Sequence, residues 1–313
     1  MNINGILVPI VTPFDNNGNV DAQKLTTLVE AFIDKGVAGI VACGTTGEYY
    51  TFSAAERELV LTTIAEAAKN KAAKNKGAEN KGAENKGAEN KGAENKVTLI
   101  AGINSLSTDH SIELAAQAKA LGYDGLMLSA PPYSLPEQEG VIAHFEKVAD
   151  ASELPIIMYN FPARVGVAIE FDTVAHLAKH PNIVGVKESS GDFSHALRML
   201  QANFDDFEVV CGCDDQPVDF FFWGAKSWIA GAANVFPAEQ VALFNATQQG
   251  DWDKAKQIMS EIYPAIHSME SGNYNQKAKA GCLKGSMDIG SVRVPLTDMP
   301  EDEKAEFLAL LSK

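Results

Sequence analysis

Positive charge is the scarcest ingredient of this sequence. Lys and Arg number 26 against 41 Asp and Glu, a formal charge of -15 at pH 7. So negative a surface repels nucleic acid and anionic membrane, and neither is expected as a partner. An anionic small substrate stays possible, because a few cations inside a pocket set the local field there. Cysteine is scarce as well: Cys43, Cys211, Cys213 and Cys282 are too few and too scattered for a disulfide framework. The C-x-C of 211–213 is not zinc-knuckle spacing, and the six His include no H-E-x-x-H pair. No metal is expected, and the cysteines are read as reduced residues of strands. No run approaches the roughly 18 apolar residues of a membrane span. The opening MNINGILVPIVTPF has neither the basic region nor the small-residue cleavage site of a signal peptide. A soluble, cytoplasmic protein is expected.

What is present is ordinary globular material: 313 residues, 46% hydrophobic and 21% charged, enough for one large α/β barrel or two modest domains. One stretch stands apart. From Lys69 the chain reads KNKAAKNK and then repeats GAENK up to Lys96. A five-residue period turns an α-helix by about 500° per step, so the repeats share no face. With nothing larger than Ala among its apolar residues it has no core to bury. The segment at about 69–96 reads as a solvated insertion, extending the preceding helix in part.

Elsewhere strand-like and helix-like runs alternate. GILVPIVTPF, GVAGIVACG, VTLIAGI, DGLMLSA, PIIMYNF, IVGVKES, FEVVCG and SWIAGAA are Val/Ile/Leu-rich without regular polar alternation, as strands covered on both faces should be. Amphipathic stretches lie between them at 21–35, 53–68, 107–121, 137–151, 170–180, 192–203 and 215–224, several opening on a capping residue (Asp21, Ser53, Ser107, Asp192). Eight such alternations predict a (β/α)8 TIM barrel over 1–236, with extra C-terminal helices over 237–313 packed on it. A doubly wound sheet is the competing architecture, but no strand runs into GxGxxG or GxxxxGK[ST]. On a barrel the chemistry sits at the C-terminal strand ends, whereas the repeat, lying between a helix and the next strand, falls at the opposite face.

The strand ends carry the candidate chemistry. Lys187 closes strand six in IVGVKESSGD; burial there would lower its pKa and leave a neutral amine able to attack a carbonyl, unless it pairs with Glu188. Strand five ends in YNFPAR, offering Tyr159 as a proton carrier and, in the loop after Pro162, Arg164 as a fork for a carboxylate. A packed tyrosine and a surface arginine are the plainer alternatives. Strand two ends in CGTTGE, where Gly44 and Gly47 allow a tight turn presenting Thr45, Thr46 and backbone N–H groups to an anion. Strand four ends in SAPPYSLP, with Tyr133 in a proline-stiffened loop.

GTTGE, YNFPAR and VGVKESSGD in this order resemble the dihydrodipicolinate synthase/N-acetylneuraminate lyase family of class I aldolases, and the resemblance spans the chain apart from the repeat. It implies a Schiff base between Lys187 and a pyruvate-type 2-oxo acid, with Tyr159 moving protons. Thr46 would hold the oxo-acid carboxylate, and Thr45 would relay protons between Tyr159 and Tyr133. Ile229 would supply a backbone contact to pyruvate, Gly212 is placed among the substrate-binding residues, and Arg164 would grip a second substrate's carboxylate. No cofactor beyond the covalent imine and no metal is implied. Because the family's relay tyrosine enters a neighbouring subunit, a dimer or dimer of dimers, usually a homotetramer, is expected.

Some positions depart from the synthase pattern. Ala54 and Arg57 stand where lysine-inhibited members carry histidines, and Pro132 replaces a second aromatic, so lysine feedback is not expected; Tyr49 and Tyr50 add bulk near the mouth. An aromatic seventh helix follows CGCDDQ. The resemblance therefore leaves open a synthase condensing pyruvate with an aldehyde such as aspartate semialdehyde, a catabolic dehydratase or deaminase (a pyrroline-4-hydroxy-2-carboxylate deaminase, for example), and a sugar-acid aldolase. A barrel serving only as a binding or interaction protein, a repeat-driven interaction protein, and a metal-dependent aldolase are the remaining alternatives.

Overall fold

The computed structural model describes residues 1–82 and 97–311. Eight parallel strands close into a barrel in chain order: β1 (Gly5–Pro9), β2 (Gly39–Ala42), β3 (Thr98–Gly102), β4 (Gly125–Ser129), β5 (Ile156–Asn160), β6 (Ile183–Glu188), β7 (Glu208–Cys211) and β8 (Ser227–Ile229). Each falls within one of the apolar runs named above. The ring of helices is α1 (Ala22–Asp34), α2 (Ala54–Gly82), α3 (Thr108–Ala120), α4 (Gln138–Ser152), the single turn α5 (Pro162–Val165), α6 (Phe171–Leu177), α7 (Phe193–Ala202), α8 (Pro217–Phe222) and α9 (Pro237–Gln248). Beyond it come α10 (Trp252–Glu270), α11 (Tyr274–Ala280), α12 (Cys282–Gly285) and α13 (Glu301–Leu310). Although α9 lies past residue 236, it packs on β1 and α8 and takes the eighth place in the ring, so the true extension is α10–α13.

Capping fixes where the helices begin. Asp21 accepts from Lys24 N, Ser107 from His110 N, and Asp192 from Ser194 N and His195 N. Ser53 and Glu56 form a reciprocal box, Glu56 N donating to the Ser53 hydroxyl and Ser53 N to the Glu56 carboxylate. The second helix runs past the expected 68 because Lys71 and Lys74 reach back to Asp34 and Glu30 on α1; the rest of the repeat, 83–96, lies outside the described residues.

The strands divide their side chains between two cores. Leu7, Val41, Ile100, Met127, Ile157, Tyr159, Val210 and Ile229 fill the barrel interior. Their neighbours Ile6, Val8, Ile40, Ala42, Leu126, Leu128, Met158 and Val186 face the helices. This period-2 division is what directs Tyr159 and Lys187, at paired register positions on β5 and β6, to the inside. Between β8 and β1 the seam is held by Asn234, wholly buried, which accepts from Val11 N and donates to Pro9 O and Gly231 O.

Two local expectations are corrected. Only Cys211 lies in a strand: Cys43 follows β2 with φ 52°, Cys213 is in a loop, and Cys282 opens α12; all four are free. The turn after β2 gets its left-handed residues from Cys43 and Glu48, not from its glycines. Gly47 is needed there for close approach, since a Cβ would lie 2.8 Å from Ile10 O. Among the described residues no helix is long and apolar enough to cross a membrane.

Replacing Asn234 by Ala leaves three buried backbone groups without their partner. A loss of about 2–4 kcal/mol is expected, read as a lower denaturation midpoint; an unchanged midpoint would show that the seam does not need it.

Candidate active site

A cavity of about 500 Å³ opens at the C-terminal strand ends. Thr45, Thr46, Tyr159, Arg164, Lys187 and Gly212 all line it. Of the residues singled out on sequence, two lie elsewhere. Ile229 is fully buried in the interior cluster with Tyr159 and does not reach the cavity wall, where Gly231 stands instead. Tyr133 is 93% exposed, in a left-handed conformation (φ 72°) on the β4–α4 loop.

Lys187 is only 6% exposed. Its ammonium lies 4.5 Å from the centre of the Tyr159 ring. Burial pulls its pKa down to about 8, against the opposing charge of Asp214. Glu188 is not its partner. Strand alternation turns Glu188 outward, where its carboxylate accepts from Asn160 Nδ2 at 2.7 Å and Ser190 N at 2.6 Å, with His195 Nε2 at 3.7 Å. Tyr159 is 6% exposed, and burial drives its pKa upward, so the phenol keeps its proton near neutrality. Ser189, two positions after Lys187, lies beside that phenol and eases the rise.

Arg164 is exposed, within the one-turn helix α5 rather than the expected loop, its guanidinium 5.6 Å from the centre of the Phe161 ring. Gly212 has a sharply defined role. A Cβ there would lie 2.0 Å from Ser189 Oγ, 2.6 Å from Glu188 O and 2.8 Å from Lys187 Cγ, so only glycine lets β7 pass the lysine stem.

The Thr45–Thr46 turn is held from outside the barrel. Thr12 Oγ1 donates to Gly47 O at 2.8 Å, and Asn275 Nδ2 on α11 donates to Thr45 O at 3.1 Å. The Glu48 carboxylate, fully buried, accepts from Lys279 Nζ and from Arg293 N, each at 2.8 Å. Lys279 also lies 4.0 Å from the centre of the Phe14 ring. A single helix of the extension, α11, thus braces the Thr45–Thr46 turn.

These bracing residues were missed on sequence, as were Asp214, Tyr274 and Ser189. Glu48 was in view as the last letter of GTTGE and Asp214 within CGCDDQ, but their partners lie some 230 and 60 residues away. Ala54 and Arg57 lie beside the main cavity and do not line it. Arg57 is buried and donates to Gln117 Oε1 and Gly102 O; with Ala54, Pro132, Tyr49 and Tyr50 it lines a neighbouring cavity of about 860 Å³, and Tyr49, Tyr50 and Pro132 also line a small pocket shared with Thr45, Tyr159 and Arg164. Of the aromatic seventh helix, Phe220 and Phe221 pack inside while Phe222 is exposed. No three His, Cys, Asp or Glu side chains among the described residues converge as a metal site.

Gly212→Ala is expected to cut activity at least tenfold by displacing Lys187 or Ser189, with the helical circular-dichroism signal retained; full activity would show that the close approach is dispensable.

Comparison with known proteins places the chain in a family. The sequence profile of the dihydrodipicolinate synthetase family matches residues 2–81 and 87–313. A 4-hydroxy-tetrahydrodipicolinate synthase of Geobacter metallireducens is 36% identical over 311 residues, covering 99% of this chain and 98% of its own. Among solved structures, a dihydrodipicolinate synthase of Bacillus anthracis superposes with a TM-score of 0.88 at 31% identity, over 100% of this chain and 99% of its own. The chloride-inhibited enzyme of Acinetobacter baumannii, solved with pyruvate, gives 0.86 at 32% identity over 99% and 98%. With matches that run the length of the chain, this protein is a (β/α)8-barrel lyase belonging to the dihydrodipicolinate synthetase family.

Proposed function

We propose that the chain joins a pyruvate-type 2-oxo acid to an aldehyde through an imine on Lys187, as its relatives named 4-hydroxy-tetrahydrodipicolinate synthase suggest. The observation that carries this reading is a buried amine with its pKa lowered to about 8, in one cavity with a tyrosine, a threonine pair and an arginine. Neutral Nζ attacks C2 of the oxo acid, and the carbonyl oxygen leaves as water. The resulting iminium draws electrons from C3, which loses a proton and adds to the aldehyde carbon. Tyr159, protonated at rest, carries protons to and from the reacting oxygen and carbon. Thr46 and the backbone of its turn hold the oxo-acid carboxylate; Arg164 takes the carboxylate of the second substrate. No diffusible cofactor or metal enters this sequence of steps.

The relay from Tyr159 through Thr45 is completed by Tyr133 of a second copy, a role suggested by Tyr133 being exposed and not lining its own cavity. A homodimer is the smallest active unit on this reading, and a tetramer, in the cytoplasm, its working form. A second reading, catabolic cleavage of a hydroxylated 2-oxo acid, draws support from Asp215 and Glu270 at the cavity wall, whose carboxyl groups are able to accept hydrogen bonds from substrate hydroxyls.

Reaction with pyruvate and cyanoborohydride is expected to leave one stable adduct on Lys187, its rate rising with pH through about 8 as the amine loses its proton. Failure to label Lys187 with pyruvate or with longer hydroxylated 2-oxo acids would sink the Schiff-base reading. Labelling by the longer acids alone would favour the catabolic one. Arg164→Ala should raise KM for aspartate semialdehyde about tenfold or more while pyruvate labelling stays near wild type; equal loss of both would show that the arginine does not select the second substrate.

A further inference from the structure

Asp214 lies two residues beyond Gly212, on the same cavity wall as Lys187, and is 4% exposed. An unpaired carboxylate so deeply buried would be costly. Three donors hold this one: Trp228 Nε1 at 3.2 Å, Ala232 N at 2.8 Å, and the hydroxyl of Tyr274 in a short hydrogen bond. The donors come from β8, the turn after it, and α11 of the extension. Tyr274 reaches Asp214 only because residue 231 is glycine; a Cβ there would lie 2.1 Å from the Tyr274 hydroxyl.

Burial raises the pKa of Asp214 above the ordinary carboxylate value, and the three donors together with the neighbouring Lys187 oppose that rise and favour the charged form. Asp214 is also the strongest charged neighbour of Lys187. The others facing the lysine are Cys211 and Cys213 of the β7 end and Arg164 of α5. Asp214 itself faces Lys187, Tyr274 and, from the end of α10, Glu270, whose own pKa is pushed up to about 8 by burial and by the two aspartates. Glu270 is therefore partly neutral where the lysine titrates, and Glu188 is engaged elsewhere.

We propose that Asp214, fixed by Tyr274, is the counter-ion of Lys187, neutralising both its ammonium and the iminium that replaces it. This rests on the Schiff-base reading above. In forming the iminium, neutral Nζ bonds to C2, the C2–O bond breaks, one proton is taken up and water leaves, so a positive charge stays at Nζ through the carbon–carbon step. A buried carboxylate lining the same cavity stabilises that charge. Tyr274 acts through Asp214 and is a positioning residue. The C-terminal extension is then part of the catalytic electrostatics as well as a brace for the Thr45–Thr46 turn.

The test is the pH dependence of pyruvate labelling of Lys187 by cyanoborohydride, in the full-length protein and in Asp214→Asn, Tyr274→Phe and Trp228→Phe. Without the anion the ammonium is less stabilised, so in D214N the midpoint should move down by at least about half a pH unit, and kcat should fall more than tenfold. Y274F and W228F, each removing one donor, should move it the same way by less. A midpoint unchanged or raised in folded D214N, with Lys187 still labelled, overturns the counter-ion role and leaves the Schiff base standing. If D214N does not fold, unshifted midpoints in both Y274F and W228F overturn it equally. Absence of labelling in the wild-type protein overturns both readings together.

Discussion

An amine is a useful nucleophile near neutrality only if water is kept from it, and most of this architecture follows from that requirement. Exposed, Lys187 would be almost wholly protonated at pH 7. Set in the barrel wall, it loses the hydration that favours the ammonium, and its pKa falls to about 8. The same burial pushes the phenol of Tyr159 the other way, so one dry environment gives a nucleophile that sheds its proton and a neighbour that keeps one. The desolvation cannot be complete, because the intermediate is itself a cation. A carboxylate has to be near without forming a direct ion pair that would lock the lysine protonated. The strand period meets that condition by sending Glu188, adjacent in sequence, to the far side of the sheet.

The two cores of the barrel divide labour. The outer one, between strands and helices, is larger and built of Val, Ile, Leu, Ala and Phe. The inner one is small and ends in Tyr159. A polar layer of Lys187, Thr46 and Ser189 sits above it, and the floor beneath is close-packed. Rigidity below and space above are what a site needs if its groups are to hold position while a substrate passes through several bonding states.

Strands and helix starts were legible in the sequence because their determinants are local. An apolar run bounded by glycine, or a Ser or Asp one step before an amphipathic stretch, carries its own explanation, and all four capping residues act as expected. Lys187, Tyr159, Thr45, Thr46 and Arg164 were visible for a related reason: on a barrel, the end of a strand is already a position in space. What was not legible is whatever depends on the last third of the chain folding back. Tyr274, Asn275 and Lys279 sit in a stretch whose composition gives no hint that three residues of one short helix touch Asp214, Thr45 and Glu48. Nor does the sequence reveal that Gly47 and Gly212 serve close approach, while Cys43 and Glu48 take up the unusual backbone angles.

The position of α11 also has a consequence in time. A ribosome delivers the eight strands and the lysine well before residues 274–280, so Glu48 and Asp214 are made before their partners from the extension. Until those last segments emerge, the amine lacks its finished setting. A chain cut before residue 274 lacks the donors that Glu48 and Asp214 take from α11.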